Sequence, residues 1–513
     1  MKKILVLLLA ALLVLSLVAC GNTSDTETQA PDTETKAPET QEGEDVRYDA
    51  NFDRNSVKDN VPTDLRFDGK TVTFFVRLGQ EIWQYEMDVN EIMNDTLYDA
   101  IYYRNKTVEE RLGVTIDTIA QPGAYNDRLT WNDTLRTAVN TQSNDFDAAA
   151  IYTSQGSVLA IENMYYNVID FPYINLEKPW WNQNVQDELT MFDTLYYLAG
   201  DIAVSEITDT FCLTYNKDLY DRFYGSTGVA LYDVVTNNEW TMDYLYDLVA
   251  GAYDEQNGDG TISDGDIVGL VSKAPTTHES WYEAWVPALG LAYTTMNRGI
   301  PELSFYSERT ITAFDSLRNL IAANPGTLAQ DQVLTSKFTD GYVLFSMTNL
   351  NAGSGYREMK DAYGVLPLPM LDQSQGGYTT TTATVSSLVT ILSSLPDSRK
   401  ELVGATLELL AAESYKQVTP EYFEVAVKTK YSESPEDAKI YDMILNSVTI
   451  SFGSCYGTAS ILGANGNAPI TTLFRDVSAD LVQKWETHST AYGENLQKLI
   501  DGLDDAAFKA MYG

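Results

Sequence analysis

The residues with the most specific spacing for chemistry form one short acidic loop. Side-chain oxygens stand at positions 1, 3, 5, 9 and 12 of a twelve-residue segment, with glycine at position 6 for the sharp turn and a backbone carbonyl at position 7. This spacing suits a hard cation such as Ca²⁺. The sequence therefore predicts a structural calcium site, with a solvated polar turn as the alternative. Its ligands would be Glu255, Asn257, Asp259, Thr261, Ser263 and Asp266, although Glu255 and Asp266 both depart from the usual EF-hand choices.

Aromatic side chains are the second signal. The chain has 33 Tyr and 8 Trp, and several of them fall in predicted loops. Sugars stack their C–H faces on aromatic rings and offer hydroxyls to planar polar partners, so an aromatic cleft with a few polar side chains indicates a carbohydrate site. The aromatic candidates are Trp83, Trp281, Trp285, Tyr152 and Tyr356, and packing in the core is the alternative for each. Trp180 and Trp181 follow Pro179 and are expected at a surface corner or in packing between lobes.

The sequence lacks the motifs that several enzyme classes require. The two histidines, His278 and His488, form no HExxH motif, which argues against a zinc hydrolase. Gly69-Lys70-Thr71 resembles the end of a phosphate loop, but Asp64 stands where the first glycine belongs. No GxSxG or strand-to-helix GxGxxG motif is present. Paired carboxylates meet in space and not in sequence, so a glycoside hydrolase remains the enzymatic alternative.

The charge composition excludes one class of binding partner. The chain has 513 residues, and its 73 Asp and Glu against 34 Lys and Arg give a net charge of -39, which argues against nucleic-acid binding. The length suggests two or three globular units. Cys212 and Cys455 could pair in an oxidising compartment, but two cysteines make no disulfide framework, and buried free thiols are the prediction.

The first half of the folded part alternates strands and helices. The patterns predict strands over 71–76, 114–119 and 146–151, with helices over 95–112 and 127–141 between them. Asn94 or Asp95 would cap the first helix, and Gly113 would end it. This alternation predicts a parallel sheet covered by helices, with right-handed connections. Ligands of such sheets bind beyond the carboxyl ends of the strands, which here are residues 77–83, 121–125 and 152–155.

The second half is richer in helical patterns. Two short strands are predicted at 342–347 and 363–366, and Ser398 with Glu401 has the spacing of a capping box after Pro396. The fold class is therefore α/β, and the simplest arrangement is two α/β lobes. The predicted helices are 240–252, 310–323, 399–412, 437–448 and 477–499.

The N-terminus predicts the compartment. Lys2 and Lys3 precede an apolar run over 4–17, as in a secretory signal peptide, and residues 17–20 resemble a bacterial lipobox. The signal would span 1–19, and Cys20 would carry the lipid, with acyl chains such as palmitate. Residues 20–50 are mostly Thr, Glu, Asp, Gln and Pro, a composition typical of a flexible tether. The protein is therefore expected on the outer face of the cell membrane, held by a lipid anchor.

An ordered set of motifs resembles the extracellular solute-binding lipoproteins of ABC importers (family 1, the sugar-binding group with maltose-binding-like members). The motifs are YNKDL at 215–219, KFTDG at 337–341 running on to Phe345, YGVLPLP at 363–369, and a PxYYExxLKxKY-like segment at 420–431. The resemblance spans nearly all of the chain after Phe67.

This resemblance implies a type II periplasmic-binding-protein-like fold with hinge crossovers near 205, 375 and 413. Lobe 1 would comprise 66–204 and 376–413, and lobe 2 would comprise 205–375 and 414–513. Topology adds Arg77, Asp201 and Tyr378 to the ligand-binding candidates, with Arg77 and Asp201 orienting hydroxyls. The expected function is capture of a sugar or oligosaccharide by a monomer, without catalysis, and delivery to an ABC transporter permease. The alternatives are a surface glycoside hydrolase and a peptide-binding or adhesive surface lipoprotein.

Overall fold

The computed structural model describes residues 47–49, 52–263, 265–272, 279–329, 334–356, 358–428, 435–457, 470–473 and 476–512. The predicted signal peptide and Cys20 lie outside these ranges, as does most of the predicted tether. Residues 47–49 are described although they belong to the 20–50 segment that the sequence predicts as a tether. None of the helices in these ranges is long and apolar enough to cross a membrane.

Thirteen strands are present in the described ranges: β1 (Lys70–Leu78), β2 (Val114–Pro122), β3 (Ala148–Tyr152), β4 (Phe211–Asn216), β5 (Val268–Ser272), β6 (Thr294–Asn297), β7 (Ile300–Leu303), β8 (Thr327–Ala329), β9 (Val343–Asn349), β10 (Tyr363–Leu366), β11 (Thr380–Thr381), β12 (Ser387–Ile391) and β13 (Val448–Thr449).

The α-helices of the same ranges are α1 (Glu81–Tyr85), α2 (Thr96–Leu112), α3 (Arg128–Thr141), α4 (Thr153–Gly156), α5 (Gln183–Leu189), α6 (Val204–Thr208), α7 (Lys217–Tyr224), α8 (Leu231–Thr236), α9 (Met242–Gly251), α10 (Glu279–Glu283), α11 (Trp285–Ala288), α12 (Glu308–Arg318), α13 (Leu334–Thr339), α14 (Lys400–Glu413), α15 (Thr419–Lys428), α16 (Pro435–Asn446), α17 (Phe452–Gly457) and α18 (Leu481–Tyr512).

The first sheet has the strand order β12-β3-β1-β2. β1 pairs in parallel with both β2 and β3, which confirms the predicted parallel core. β12 pairs antiparallel with β3, so a strand from late in the chain completes this sheet. α2 begins where the sequence predicts, because the Asp95 side chain accepts hydrogen bonds from the backbone N–H groups of Leu97 and Tyr98. It ends at Gly113, whose φ of 64° is the left-handed conformation that glycine favours.

The second sheet has the order β10-β4-β9-β5-β8. β5 is parallel to β8 and β9, whereas β4 is antiparallel to β9 and β10. The strands predicted at 342–347 and 363–366 correspond to β9 and β10. The chain enters this sheet through α6 and returns to the first sheet at β12, after β11 has paired in parallel with β13.

Two local expectations change. The capping box at Ser398 and Glu401 is wrong, because Pro396 opens a 3₁₀ turn over Asp397–Arg399 and α14 then begins without a side-chain cap. Of the two alternatives for Trp180 and Trp181, the surface corner is wrong, because both side chains are fully buried, and packing remains. The thiols behave as predicted, since Cys212 and Cys455 are both buried and free.

Candidate functional site

Arg77 is the centre of the candidate site. It lies at the carboxyl end of β1 and is 1% exposed. Its guanidinium stacks against two rings, 4.5 Å from the centre of Trp83 and 5.1 Å from the centre of Tyr152. Nη2 donates to the carbonyl of Val385 and to Oγ of Ser387, both at 2.8 Å. These contacts fix the plane of the guanidinium where the first sheet meets the segment that leads back into it.

Two glycines make room for this arrangement. A Cβ at Gly123 would lie 2.6 Å from Cγ of Arg77, so any other residue there would push the arginine away. Gly79, with a φ of 143°, turns the chain directly after β1, and α1 then carries Trp83 back over Arg77. The local sequence therefore builds the stack from the end of one strand and the short helix after it.

Two buried carboxylates accompany the arginine. Glu86 follows α1, and its Oε2 accepts a hydrogen bond of 3.3 Å from the backbone N–H of Ser205. Asp209 follows α6, and Asn351 donates to its Oδ1 at 3.4 Å. Burial raises the pKa of Asp209 to about 7, and the nearby charge of Glu86 adds to the increase while Arg77 opposes it. Burial likewise raises the pKa of Glu86.

Arg77 is close enough to these carboxylates to interact with them, but it forms no ion pair within 4.0 Å with any carboxylate of the described residues. Burial lowers its pKa to about 10, and the charges of Glu86 and Asp209 only partly oppose that shift. The site thus holds one cation and two acids, each surrounded by protein and short of direct counter-charge.

Polar atoms with unused bonding capacity concentrate here. Nε and Nη1 of Arg77, Nε1 of Trp83, Oε1 of Glu86 and Oδ2 of Asp209 are buried and make no hydrogen bond within the part of the chain that the structure describes. Most buried polar atoms in proteins have a partner, so a cluster of exceptions indicates a place for bound water or for the polar groups of a ligand. The cluster offers both donors and acceptors.

The structure brings three of the predicted ligand-binding residues together, namely Arg77, Trp83 and Tyr152. Glu283 approaches them from the segment between Trp281 and Trp285. Burial is the main reason that the pKa of Tyr152 rises to about 12, and the charge of Glu283 is among the smaller contributions. Trp285 is buried, and Trp281 is half-buried with its ring edge-on to Phe211 at 5.8 Å.

Three other candidates lie elsewhere. Asp201 is buried and binds Arg47, Tyr48 and Thr419. Tyr356 packs against Phe338, with ring centres 5.0 Å apart, in the core beside the second sheet. Tyr378 donates to the carbonyl of Val235 at 2.9 Å and lines a separate groove of about 560 Å³. Sequence reasoning missed Glu86 and Asp209, because nothing in their spacing distinguishes them among 73 acidic residues.

The predicted calcium loop is folded by its own carboxylates. Asp266 is buried, and its Oδ1 accepts from the N–H of Gln256 at 2.8 Å while its Oδ2 accepts from the N–H of Ser263 at 2.9 Å. Oδ1 of Asp259 accepts from the N–H of Thr261 at 2.8 Å. Across the described ranges, no group of three or more His, Cys, Asp or Glu side chains converges as metal ligands. Calcium binding stays a prediction.

Comparisons with known proteins show the fold. No family model and no curated protein matches the chain. A cyclo/maltodextrin-binding protein in complex with maltotetraose is 11% identical over 86% of this chain and 98% of its own, with a TM-score of 0.53. UgpB of Mycobacterium tuberculosis, in complex with glycerophosphocholine, is 13% identical over 85% and 99%, with a TM-score of 0.51.

A third structure is the galacto-N-biose/lacto-N-biose I-binding protein of the ABC transporter from Bifidobacterium longum, in complex with lacto-N-biose. It is 12% identical over 85% of this chain and 98% of its own, with a TM-score of 0.50. The chain therefore has the mixed α/β, two-lobe fold of maltose-binding-like substrate-binding proteins, which confirms the predicted fold class.

Proposed function

We propose that the protein is a solute-binding protein that captures a sugar or oligosaccharide between its two lobes and delivers it to an ABC importer permease. The observation that carries this proposal is the buried cluster around Arg77, in which two aromatic rings and two carboxylates surround polar atoms with unused hydrogen-bonding capacity. The cluster lies at the carboxyl ends of β1 and β3, where parallel sheets bind ligands. The two sugar-bound neighbours with this fold add support.

The charges favour a neutral polyhydroxyl ligand. Arg77 can donate from Nε and Nη1, while Glu86 and Asp209 each keep an oxygen that can accept. A sugar hydroxyl both accepts and donates, so it can satisfy both kinds of group. A phosphate or carboxylate would meet one arginine and two acids, and its charge would be poorly compensated there.

Capture would follow from a change in population. Lobe 1 would comprise 66–204 and 376–413, lobe 2 would comprise 205–375 and 414–513, and the crossovers would act as hinges. A ligand that contacts both lobes binds the closed state more tightly and shifts the population toward it. Small-angle scattering would then show a smaller radius of gyration with ligand, whereas a rigid adhesive protein would show no change.

Calorimetry on the folded body tests the ligand class. We expect one of maltotetraose, lacto-N-biose or a related sugar to bind, and the Arg77→Met variant to bind it at least about 100-fold more weakly, because two hydrogen bonds from a charged donor are lost. Arg309→Met is the matched control, since that arginine binds Asp372 and Gln375 away from the cluster. If only glycerophosphocholine bound, the protein would still be a solute-binding protein, but the proposal of a carbohydrate ligand would be wrong.

A glycoside hydrolase is the second candidate, and Asp209 is the observation that favours it. A buried carboxyl with a pKa of about 7 beside a second carboxyl has the properties of a general acid. Chromatography of the sugars after a long incubation decides between the two functions. Cleavage that stops in Asp209→Asn would establish the enzyme, and intact sugars would favour capture alone.

The cellular setting is part of the same proposal. A lipid on Cys20 would hold the protein at the outer face of the membrane, and the protein would act as a monomer. A structural Ca²⁺ would sit in the loop over 255–266. Tyr253 lies close enough to Asp266 and Glu255 for their charges to raise its pKa, after a larger effect of desolvation. Terbium luminescence sensitised by Tyr253 and lost in Asp259→Asn would therefore report the ion, and absence of any such signal would contradict it.

A further inference from the structure

Residues 47–49, here called the strap, belong to the main compact unit of the chain and are anchored by the partly buried Arg47. Nη1 of Arg47 lies 3.1 Å from Oε1 of Glu206, and Nη2 lies 3.4 Å from Oδ2 of Asp201. Tyr48 is 1% exposed, and its hydroxyl donates to the same Oδ2 of Asp201 at 3.2 Å. A segment of tether-like composition thus ends in a set of buried charged contacts.

The strap also binds the end of a distant helix. The backbone N–H of Tyr48 donates to Oδ1 of Asn446 at 2.8 Å, and Nδ2 of Asn446 donates back to the carbonyl of Tyr48 at 2.7 Å. Asn446 is the last residue of α16, which packs against β10 of the second sheet. Asp201 meanwhile accepts from Oγ1 of Thr419, at the start of α15, at 2.5 Å. One tyrosine therefore joins the first crossover to a helix of the second sheet.

The helix that receives Arg47 also forms part of the candidate site. Glu206 lies on α6 and binds the strap, while its neighbour Ser205 binds Glu86 and accepts from the N–H of Ser387 at 2.9 Å. Asp209 follows the same helix, and its N–H donates to the carbonyl of Ser205 at 3.0 Å. A movement of this five-residue helix would displace both the strap contacts and the acids around Arg77.

We propose that the strap is a latch on the hinge: Arg47 and Tyr48 hold α6 against α16 and thereby set the position of Ser205 and Asp209 in the ligand site. The latch rests on the proposed function for the hinge itself. Arg47 and Tyr48 are positioning residues, since neither contacts the Arg77 cluster in the bonds described. The part of the chain nearest the membrane would in this way be coupled to the opening of the lobes.

Hydrogen exchange followed by mass spectrometry tests the latch on the full chain without any ligand. In Arg47→Met we expect the amides of α6 and of Asp209 and Thr210 to exchange at least about tenfold faster, because local opening no longer breaks two partly buried ion pairs. The amides of β2 should be unchanged. Arg136→Met is the matched control, because Arg136 on α3 also binds two carboxylates, Asp133 of the same helix at 2.7 Å and the more distant Glu162 at 2.6 Å.

Tyr48→Phe keeps the test decisive if Arg47→Met fails to fold. It removes one hydrogen bond and should accelerate exchange in α6 about threefold. Small-angle scattering of the same ligand-free variants separates a latch from a merely structural contact, because releasing a latch changes the radius of gyration and losing a structural contact does not. Exchange in α6 equal to that of the unmodified protein, or an unchanged radius of gyration, in every variant that folds, would overturn the latch. A sugar panel without binding would instead count against the proposed function, and the exchange result would stand apart from it.

Discussion

Two arginines each lie near two carboxylates and an aromatic ring, namely Arg47, which is partly buried, and Arg77, which is fully buried, yet they differ in how the charges meet. Arg47 makes direct ion pairs with Asp201 and Glu206. Burial alone would lower its pKa, but Tyr48, Glu206 and Asp201 outweigh burial and raise the pKa above the ordinary value. Arg77 has no direct ion pair among the described residues, and burial lowers its pKa to about 10.

The difference separates a structural contact from the candidate binding site. In the described ranges Arg47 lacks a partner at Nε alone and pairs both Nη atoms with carboxylates, whereas Arg77 lacks a partner at Nε and Nη1 and pairs with no carboxylate. Burying a charge without a direct partner costs stability, and a protein retains such a group where it serves another role. Under the proposed function, the chain uses the same residue types once to hold the fold and once to keep donors available for a ligand.

Matched substitutions give the largest contrast between the two arginines. We expect Arg47→Met to lower the free energy of unfolding by roughly 3 kcal/mol, because it leaves two carboxylates buried without their cation. Arg77→Met should change it by less than about 1 kcal/mol, since it removes a poorly compensated charge together with two hydrogen bonds. Guanidinium unfolding followed by tryptophan fluorescence measures both. Equal losses in the free energy of unfolding would show that the two arginines do not differ in their contribution to stability.

The pH dependence of stability tests whether the acids beside Arg77 are as buried as the structure shows. Burial raises the pKa of Asp209 from 3.8 to about 7, so the folded protein holds this proton more tightly than the unfolded chain does. The free-energy cost of burying the charged form of Asp209 is fully present above about pH 7 and vanishes below 3.8, the pKa of Asp209 in the unfolded chain. Between these limits, stability should increase as the pH falls, by up to about 1.4 kcal/mol per pH unit.

Asp209→Asn isolates this contribution, because the amide has no proton to gain over that range. The free energy of unfolding of the unmodified protein, minus that of the variant, should rise from pH 7 to pH 4. Thermal or denaturant unfolding at four or five pH values measures the difference. Parallel curves for the two proteins would mean that Asp209 titrates as an exposed acid and that the site is less enclosed than the structure indicates.

The sequence predicted the parts of the molecule that depend on neighbouring residues. Asp95 caps α2 and Gly113 ends it, and both signals are local. The apolar runs of β1 and β3 place Arg77 and Tyr152 at the carboxyl ends of adjacent strands, so two members of the candidate site followed from topology. Trp83 joined them because it follows β1 by a few residues.

Long-range contacts could not be predicted in the same way. Tyr48 lies in a stretch whose composition is typical of a tether, but it binds Asn446, which is 398 positions away in the chain. Asp201 was expected in the ligand site because it lies at a crossover, and the structure shows that Arg47, Tyr48 and Thr419 use its oxygens. Tyr356 illustrates a related limit, because an aromatic residue near a predicted turn has the same sequence signal in a cleft and in a core.

The smallest expected effects come from the tyrosines stacked on the two arginines. The Arg47 guanidinium lies 4.8 Å from the ring centre of Tyr48, and the Arg77 guanidinium lies 5.1 Å from that of Tyr152. Tyr48→Phe removes the hydrogen bond to Asp201 and should lower the melting temperature by an amount equivalent to about 1 kcal/mol. Tyr152→Phe should leave the melting temperature unchanged, because its ring keeps the stack, and should weaken sugar binding a few-fold. Differential scanning calorimetry and binding calorimetry on the same samples separate these effects. A drop in melting temperature for Tyr152→Phe without a change in affinity would show that the Tyr152 hydroxyl stabilises the fold and does not contribute to sugar binding.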